Sequence, residues 1–319
     1  MWLREKLLAI YKVKQTAIVT GAAGFLGRYV SRHFIKNGWR VVGFDEVPPE
    51  NVRVSGMEYI RARLPDRSLK ELLPALQADV CVHCAGRASV GLSLEDPAAD
   101  FRGNTLLVFE LLDALRLYSP RCRFLLLSSA AVYGNPVSLP VTEQDTIYPL
   151  SPYGYHKRQA ELLCEEYSRI YALPTAVARI FSAYGPGLRR QVVWDICEKV
   201  LTTGQLALKG TGTESRDFIH AADIAHGLYL LATRAPCEGE AYNLASGREV
   251  TITELAATLL AALDSEVRPT FDGHPTPGDP LHWQADIARI AALGFSSAVS
   301  LEQGLREVAT WCLAELSHL

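Results

Sequence analysis

The chain has 319 residues, of which 49% are hydrophobic and 21% charged, with a formal net charge of −3. A chain of this length suggests about two domains and can bury roughly three quarters of the surface it exposes when unfolded, so it needs no covalent staples. The 32 basic residues are scattered rather than gathered into a stripe, which gives no reason to expect nucleic acid.

Seven widely spaced cysteines, an odd number, argue against a disulfide framework and for a reducing, cytoplasmic compartment. No apolar run approaches the length of a membrane span. The N-terminal MWLREKLLAIYKVK lacks a signal-peptide apolar core, because LLAIY is short and closely flanked by charge, and it reads as an amphipathic helix packed on the body.

In chain order, TAIVTG from Thr16 reads as a buried strand, FLGRYVSRHFIKNG as a helix ending at Gly38, RVVGFD as a second strand and MEYIRARL as a third. SLKELLPALQ is helical, ADVCVHCAG is a fourth strand, a long helix covers Ala98–Leu117, and RFLLLSSA is a fifth strand. A helix from Pro152 and the strand PTAVARIFSAYG follow. Continuous apolar strands separated by helices predict an α/β fold with a doubly wound parallel sheet covered on both faces. After Gly185 the rhythm changes: GPGLRRQVV and LALKGTGTESRDF read as loop-rich, Ala221 to Thr233 as helix, and the rest as helix around FDGHPTPGDP. The expected division is a dinucleotide-binding domain at 1–180, with a return segment at 217–245, and a smaller C-terminal substrate domain at 181–319.

The turn after the first strand, TGAAGFLGRYV, places Gly21, Gly24 and Gly27 between strand and helix. Glycines there permit a tight turn and let backbone N–H groups approach a pyrophosphate at a helix N-terminus. The second strand ends in Asp45, 18 residues after Gly27, where a carboxylate accepts hydrogen bonds from the adenine ribose and repels a 2′-phosphate. Arg63 is placed to stack near the adenine or to offer charge to a 2′-phosphate, but Asp45 fits the motif better, so NAD is favoured over NADP. Tyr153 and Lys157 stand four residues apart at the start of a helix and share one of its faces. The pair Cys81 and Cys84 has no second CxxC and lies in a buried strand, so no metal is expected and small buried hydrophobes are the reading. His156 should point away from the Tyr–Lys face to a surface or interface, whereas Trp283 suits either the core or a substrate loop.

Taken together, GAAGFLG, HCAGRASVG at 83–91, SSAAVYG at 128–134, YGYHK at 153–157 and RDFIH at 216–220 resemble the extended short-chain dehydrogenases/reductases that act on nucleotide sugars, and most of all the UDP-sugar 4-epimerases. The resemblance implies a Rossmann-type domain, NAD as cofactor, a UDP-sugar substrate and a homodimer built on the helices at Ala98–Leu117 and Pro152–Tyr171. It makes Ser129, Tyr153 and Lys157 the catalytic set. Around the cofactor it places Phe25, Leu26, Leu64, Cys84, Ala85, Gly86, Asn104, Ser128 and Phe181 beside the glycines, Asp45 and Arg63. On the substrate side it places Ser182, Arg216 and Asp279 with Ser129 and Tyr153.

A nearby ammonium and a cationic nicotinamide would lower the phenol's ordinary pKa of about 10 and make Tyr153 a base. Three positions depart from the family pattern: Ser182 stands where Asn is usual, Arg63 where an acid is common, and Thr276 where an arginine often lies. Dehydratases of the same fold add an acid after the serine, where this chain has Ala130 and Ala131. A 4-ketosugar reductase and a non-catalytic dinucleotide sensor are the rival functions.

Overall fold

The computed structural model describes residues 14–66, 68–274 and 280–316; the N-terminal extension, Thr276 and Asp279 lie outside the described residues. Seven strands form one parallel sheet in the order β10-β6-β5-β4-β1-β2-β3: β1 (Thr16–Thr20), β2 (Arg40–Asp45), β3 (Glu58–Arg61), β4 (Val80–His83), β5 (Arg123–Ser129), β6 (Thr175–Ile180) and β10 (Glu238–Leu244). The chain runs outward from β1 to β3 and then crosses back to β4, so the order reverses between β1 and β4. In such sheets ligands bind at that reversal, beyond the carboxyl ends of the strands.

Alternation along the strands divides the core. Ala17, Val19, Leu125 and Leu127 face one side of the sheet, with Val30 and Phe34 of helix α1 (Phe25–Lys36). Ile18, Phe124 and Leu126 face the other, with Leu111, Leu112 and Leu115. Two-sided burial explains why these strands read as continuous apolar runs. Fully burying a side chain such as Phe34 contributes about 2–3 kcal/mol.

Several sequence expectations change. The long helix is three pieces: α4 (Pro97–Phe101), a π-helical turn at Arg102–Leu106, and α5 (Leu107–Tyr118), which follow α2 (Ser68–Leu76) and α3 (Val90–Glu95). Helical sequence on both sides of the π turn is why the pattern read as continuous. The stretch PTAVARIFSAYG splits after Ile180, since β7 (Ser182–Tyr184) leaves the main sheet and pairs with β9 (Ser215–His220). Part of each loop-rich stretch is regular. Helix α7 (Gln191–Thr203) starts inside GPGLRRQVV, and β8 (Ala207–Leu208) and β9 cover much of LALKGTGTESRDF. The glycines and polar residues between β8 and β9 hid these short strands. β11 (Glu249–Thr251) completes a three-stranded sheet in the order β11-β9-β7. A third core gathers on α7, α9 (Ile252–Ala262) and α11 (Leu301–Leu316), after α8 (Ala221–Arg234) and the short α10 (Ala288–Ala291).

One buried polar network ties the catalytic-side helix to the sheet. Helix α6 (Pro152–Tyr171) starts with Pro152 at its first position and Ser151 capping Gly154 N–H at 3.3 Å. On it, Glu161 is buried and takes hydrogen bonds from Arg179 Nε at 3.1 Å and Nη2 at 2.9 Å. Arg179 also donates to the Tyr133 hydroxyl at 2.9 Å, and that hydroxyl donates to Asn243 Oδ1 at 2.7 Å. Burial of the guanidinium is tolerated only because its donors are used in this way. Arg179→Leu leaves Glu161 buried with only Arg158 and the Ser128 hydroxyl and should lower unfolding free energy by about 3–5 kcal/mol; urea denaturation measures this, and the double variant Glu161→Leu/Arg179→Leu should recover much of the loss.

Candidate active site

At the reversal point, the turn after β1 presses against the turn after β4. Gly21 has φ +65°, and a Cβ there would stand 2.7 Å from the Ala85 nitrogen. A Cβ on Gly27 would stand 2.0 Å from the Gly21 carbonyl oxygen. The first position therefore needs glycine for its conformation and its crowding, and the second so that α1 can sit against the turn. Helix α1 opens at Gly24 without a side-chain cap, leaving its first N–H groups for an anion. Phe25 and Leu26 form its first turn, with Phe25 edge-on to Tyr29 at 5.5 Å and Leu26 against the core.

Asp45, at the end of β2, accepts from Ala23 N–H at 3.0 Å through one oxygen and from Glu46 N–H at 2.8 Å through the other. It therefore braces the glycine turn from the neighbouring strand and remains at the site's edge. Arg63 is exposed, with its Nε 3.9 Å from the Glu46 carboxylate. Leu64 packs on the sheet's second core.

Under the turn, His83 and Thr20 share a buried hydrogen bond of 2.7 Å, and Ala85 N–H donates to the Thr20 hydroxyl at 3.3 Å. Burial holds the His83 imidazole down at about 3. Cys84 is half-buried and its thiol is pushed far up by burial, as is Cys81, so both behave as neutral small side chains. No cluster of three or more metal-type ligands occurs among the described residues.

Ser129, Tyr153 and Lys157 meet at the end of β5. The Ser129 hydroxyl lies beside the Tyr153 phenol, whose pKa it lowers, and accepts from Ala131 N–H at 3.1 Å. Lys157 is 6% exposed, donates to the Leu127 carbonyl at 3.0 Å, and holds its ammonium 5.9 Å from the Tyr153 ring centre. Burial lowers the ammonium to about 8, against the fields of Asp100 and Glu161 that raise it. For Tyr153 the protein alone gives the reverse of the expected direction: burial raises the phenol, while the Ser129 hydrogen bond and the Arg190 charge pull it down. Low-dielectric surroundings disfavour a phenolate more than this neighbourhood favours one.

Asn104 lies in the π turn, buried, donating to the Arg87 carbonyl at 2.9 Å and to Asp100 at 3.0 Å. Its Oδ1 is buried without a partner, an orphaned acceptor facing the turn after β4, where Gly86 lies. The uncapped helix and this acceptor both fit a bound dinucleotide. Ser128 turns its hydroxyl to Glu161 at 2.6 Å, so its side chain serves the buried network.

On the other side, Phe181 is buried edge-on to Trp283 at 5.8 Å, and the Arg216 guanidinium lies over the Trp283 ring at 5.6 Å. Trp283 Nε1 donates to the Gly134 carbonyl at 3.0 Å, so this residue is core and also carries a substrate-side arginine. Arg216 further donates to the Ser215 carbonyl at 2.8 Å. Ser182 heads β7 opposite Phe218. Sequence reasoning passed over Asp217, which is fully buried and gathers N–H groups of Ser246, Gly247 and Ala285. An aspartate inside an apolar strand next to Arg216 was the available signal. It also misjudged His156, whose ring turns inward to Asp100 at 2.6 Å rather than outward.

The chain matches the NAD dependent epimerase/dehydratase family over residues 17–245. A putative UDP-glucose 4-epimerase of Methanocaldococcus jannaschii is 29% identical across 92% of this chain and 97% of its own. Among solved structures, the UDP-glucuronic acid 4-epimerase of Bacillus cereus, in complex with UDP-glucuronic acid and NAD, superposes with a TM-score of 0.86 at 28% identity, covering 94% of this chain and 100% of that one. The UDP-N-acetylglucosamine 4-epimerase of Methanobrevibacter ruminantium superposes with a TM-score of 0.87 at 26% identity, covering 95% and 99%.

A neutral buried His83 predicts an acid limit. Its folded pKa lies below the unfolded value of about 6.5, so the stability it contributes is present above pH 6.5 and is lost as pH falls toward 3, by about 1.4 kcal/mol per pH unit. Melting curves of His83→Gln should show a shallower loss across that window than those of the unmodified protein.

Proposed function

The chain belongs to the NAD dependent epimerase/dehydratase family, and from that premise we infer that it is an NAD-dependent UDP-sugar 4-epimerase acting by transient oxidation at C4. The observation that carries this reading is the meeting of Ser129, Tyr153 and Lys157 beside the glycine turn, with Ala130 and Ala131 where an eliminating enzyme would need an acid.

NAD held there would supply a reversible hydride acceptor for C4 of the sugar and, in its oxidised form, a positive charge beside the phenol. The Tyr153 phenolate oxygen accepts the proton of the C4 hydroxyl and later gives it back. Ser129 hydrogen-bonds the reacting oxygen. Lys157 contributes the positive field that burial of Tyr153 demands, and it holds the nicotinamide ribose. Gly21, Gly24 and Gly27 receive the pyrophosphate, and Asp45 binds the adenine ribose. Arg216 grips the nucleotide diphosphate and Asp279 closes the sugar-nucleotide pocket, while the small side chains of Ala130, Ala131 and Ser182 leave room for the ketosugar to turn.

The exposed faces of Phe101, Phe109, Leu162 and Ile170, on α4 to α6, favour a homodimer in which two copies pack these helices together, in the cytoplasm of the cell. No helix among the described residues is long and apolar enough to cross a membrane.

Tyr153→Phe should cut turnover by about 10²- to 10⁴-fold while NAD affinity stays within about threefold; Lys157→Ala should lower both. A panel of UDP-sugars followed by NMR should give products that differ from substrate only at C4, with no NADH added. A stoichiometric demand for NADH would replace the epimerase reading with a reductase.

Cofactor choice is checked by direct titration: Asp45→Ala should weaken NAD binding and narrow its preference over NADP. If the unmodified protein prefers NADP, Arg63 rather than Asp45 governs the ribose pocket. Light scattering at micromolar concentration should report a dimer.

A further inference from the structure

Two ionisable residues packed beside the site have no part in the reaction just described. Asp100, on α4, is fully buried. His156, on α6, sits between Tyr153 and Lys157 in sequence but faces about 100° away from Lys157 around the helix. Its Nδ1 meets Asp100 Oδ2 at 2.6 Å, its ring lies edge-on to Phe101 at 5.5 Å, and its side chain is 12% exposed. The other Asp100 oxygen accepts from Asn104 Nδ2 at 3.0 Å. A three-residue chain therefore runs from α6 through α4 into the π turn.

The far end of that chain is at the cofactor floor. With both Asn104 amide protons taken by Asp100 and the Arg87 carbonyl, the amide orientation is fixed and Oδ1 must point the other way. The space where a Cβ on Gly86 would sit is 2.8 Å from Asn104 Oδ1 and 3.7 Å from Lys157 Nζ. An acceptor and a cation thus converge on one point of the turn after β4.

We propose that His156 and Asp100 form a positioning pair for this site: His156 donates to Asp100 and holds its carboxylate in place, and Asp100 in turn aims Asn104 at the cofactor and supplies the buried negative charge that keeps Lys157 protonated. The proposal rests on the reading of Asn104 and Lys157 as cofactor-binding residues. The other groups around Lys157 do not replace Asp100. Glu161 and Cys164 lie on its own helix, and Cys84 and His83 lie on β4 and its turn. Glu161 is already shared by Arg179 and Arg158, and the thiols and His83 are neutral. Burial brings the Lys157 ammonium to about 8, with Asp100 the foremost charge opposing that fall. Its charge therefore matters within the working range of pH.

The test is calorimetric titration of the folded protein with NAD from about pH 6.5 to pH 9.5, a window set by the lysine's displaced pKa. In the unmodified protein, affinity should decline on the alkaline side as Lys157 loses its proton, and Lys157→Met should remove that decline. Asp100→Asn keeps the hydrogen-bonding shape and deletes the charge; its decline should begin at least about half a pH unit lower. His156→Leu should weaken NAD by about tenfold at neutral pH, and His156→Gln, which can still donate to Asp100, should return to within about threefold of the unmodified protein. A coincident pH profile for Asp100→Asn overturns the proposal. So does a His156→Leu protein that melts earlier but binds NAD unchanged, since that pair would then serve only the fold. An unmodified protein that fails to bind NAD at any pH overturns the functional reading itself.

Discussion

Keeping an ammonium charged in a nearly dry interior is the constraint around which this molecule is arranged. Lys157 is 6% exposed, and taking an ammonium out of water costs several kcal/mol before any partner is counted. Its compensation comes from three different elements: the Leu127 carbonyl from β5, and the carboxylates of Asp100 on α4 and Glu161 on α6. None of the three lies within one turn of Lys157 except Glu161, four residues on along the helix. The packing of α4 and α6 on the sheet therefore sets the charge state of a residue that the sequence shows only as a lysine in a helix.

The carboxylates that hold Lys157 are themselves buried, so each has needed partners of its own. Glu161 is matched by Arg179 of β6 and Arg158 of its own helix, and Asp100 by His156 and Asn104. The result is a set of satisfied polar groups around the carboxyl ends of β4, β5 and β6, where an apolar core would pack with less risk. Partly satisfied networks of this kind are costly, which fits the near completeness of this one. Its exceptions are informative. Asn104 Oδ1, Arg87 Nε and His83 Nε2 lack partners in the protein; His83 ends β4, Arg87 lies in the turn after it, and Asn104 reaches that turn from the π turn.

The substrate side rests on a different principle. There the fold fixes an aromatic floor and hangs charge on it. Trp283 is locked by its bond to the Gly134 carbonyl, Phe181 packs on its face, and Arg216 lies across it. Asp217, the next residue along β9, binds three backbone N–H groups from two loops. The strand that carries the arginine is thereby tied to the C-terminal segment. Neighbouring residues of one strand point to opposite faces, so one serves the site while the other fastens the scaffold.

The sequence by itself determined the parallel sheet, the glycine turn, Asp45 at the end of the second strand and the shared face of Tyr153 and Lys157. Each of these is a local pattern: an apolar run, a turn residue, or a spacing of four on a helix. Only the tertiary structure decided the remainder. The π turn at 102–106 went unread because helix continues on both sides of it and nothing in RGNTL marks the change in hydrogen-bond register. His156 looked like a surface residue because helical phase alone puts it off the catalytic face; what turned it inward was Asp100, 56 residues earlier in the chain. In the protein alone, the Tyr153 phenol is raised by burial, a contribution that neighbours in sequence do not show, since desolvation depends on what the whole fold excludes. Periodicity and spacing report which face a residue occupies. What that face meets, and how dry it becomes, is settled by contacts between elements far apart in the chain.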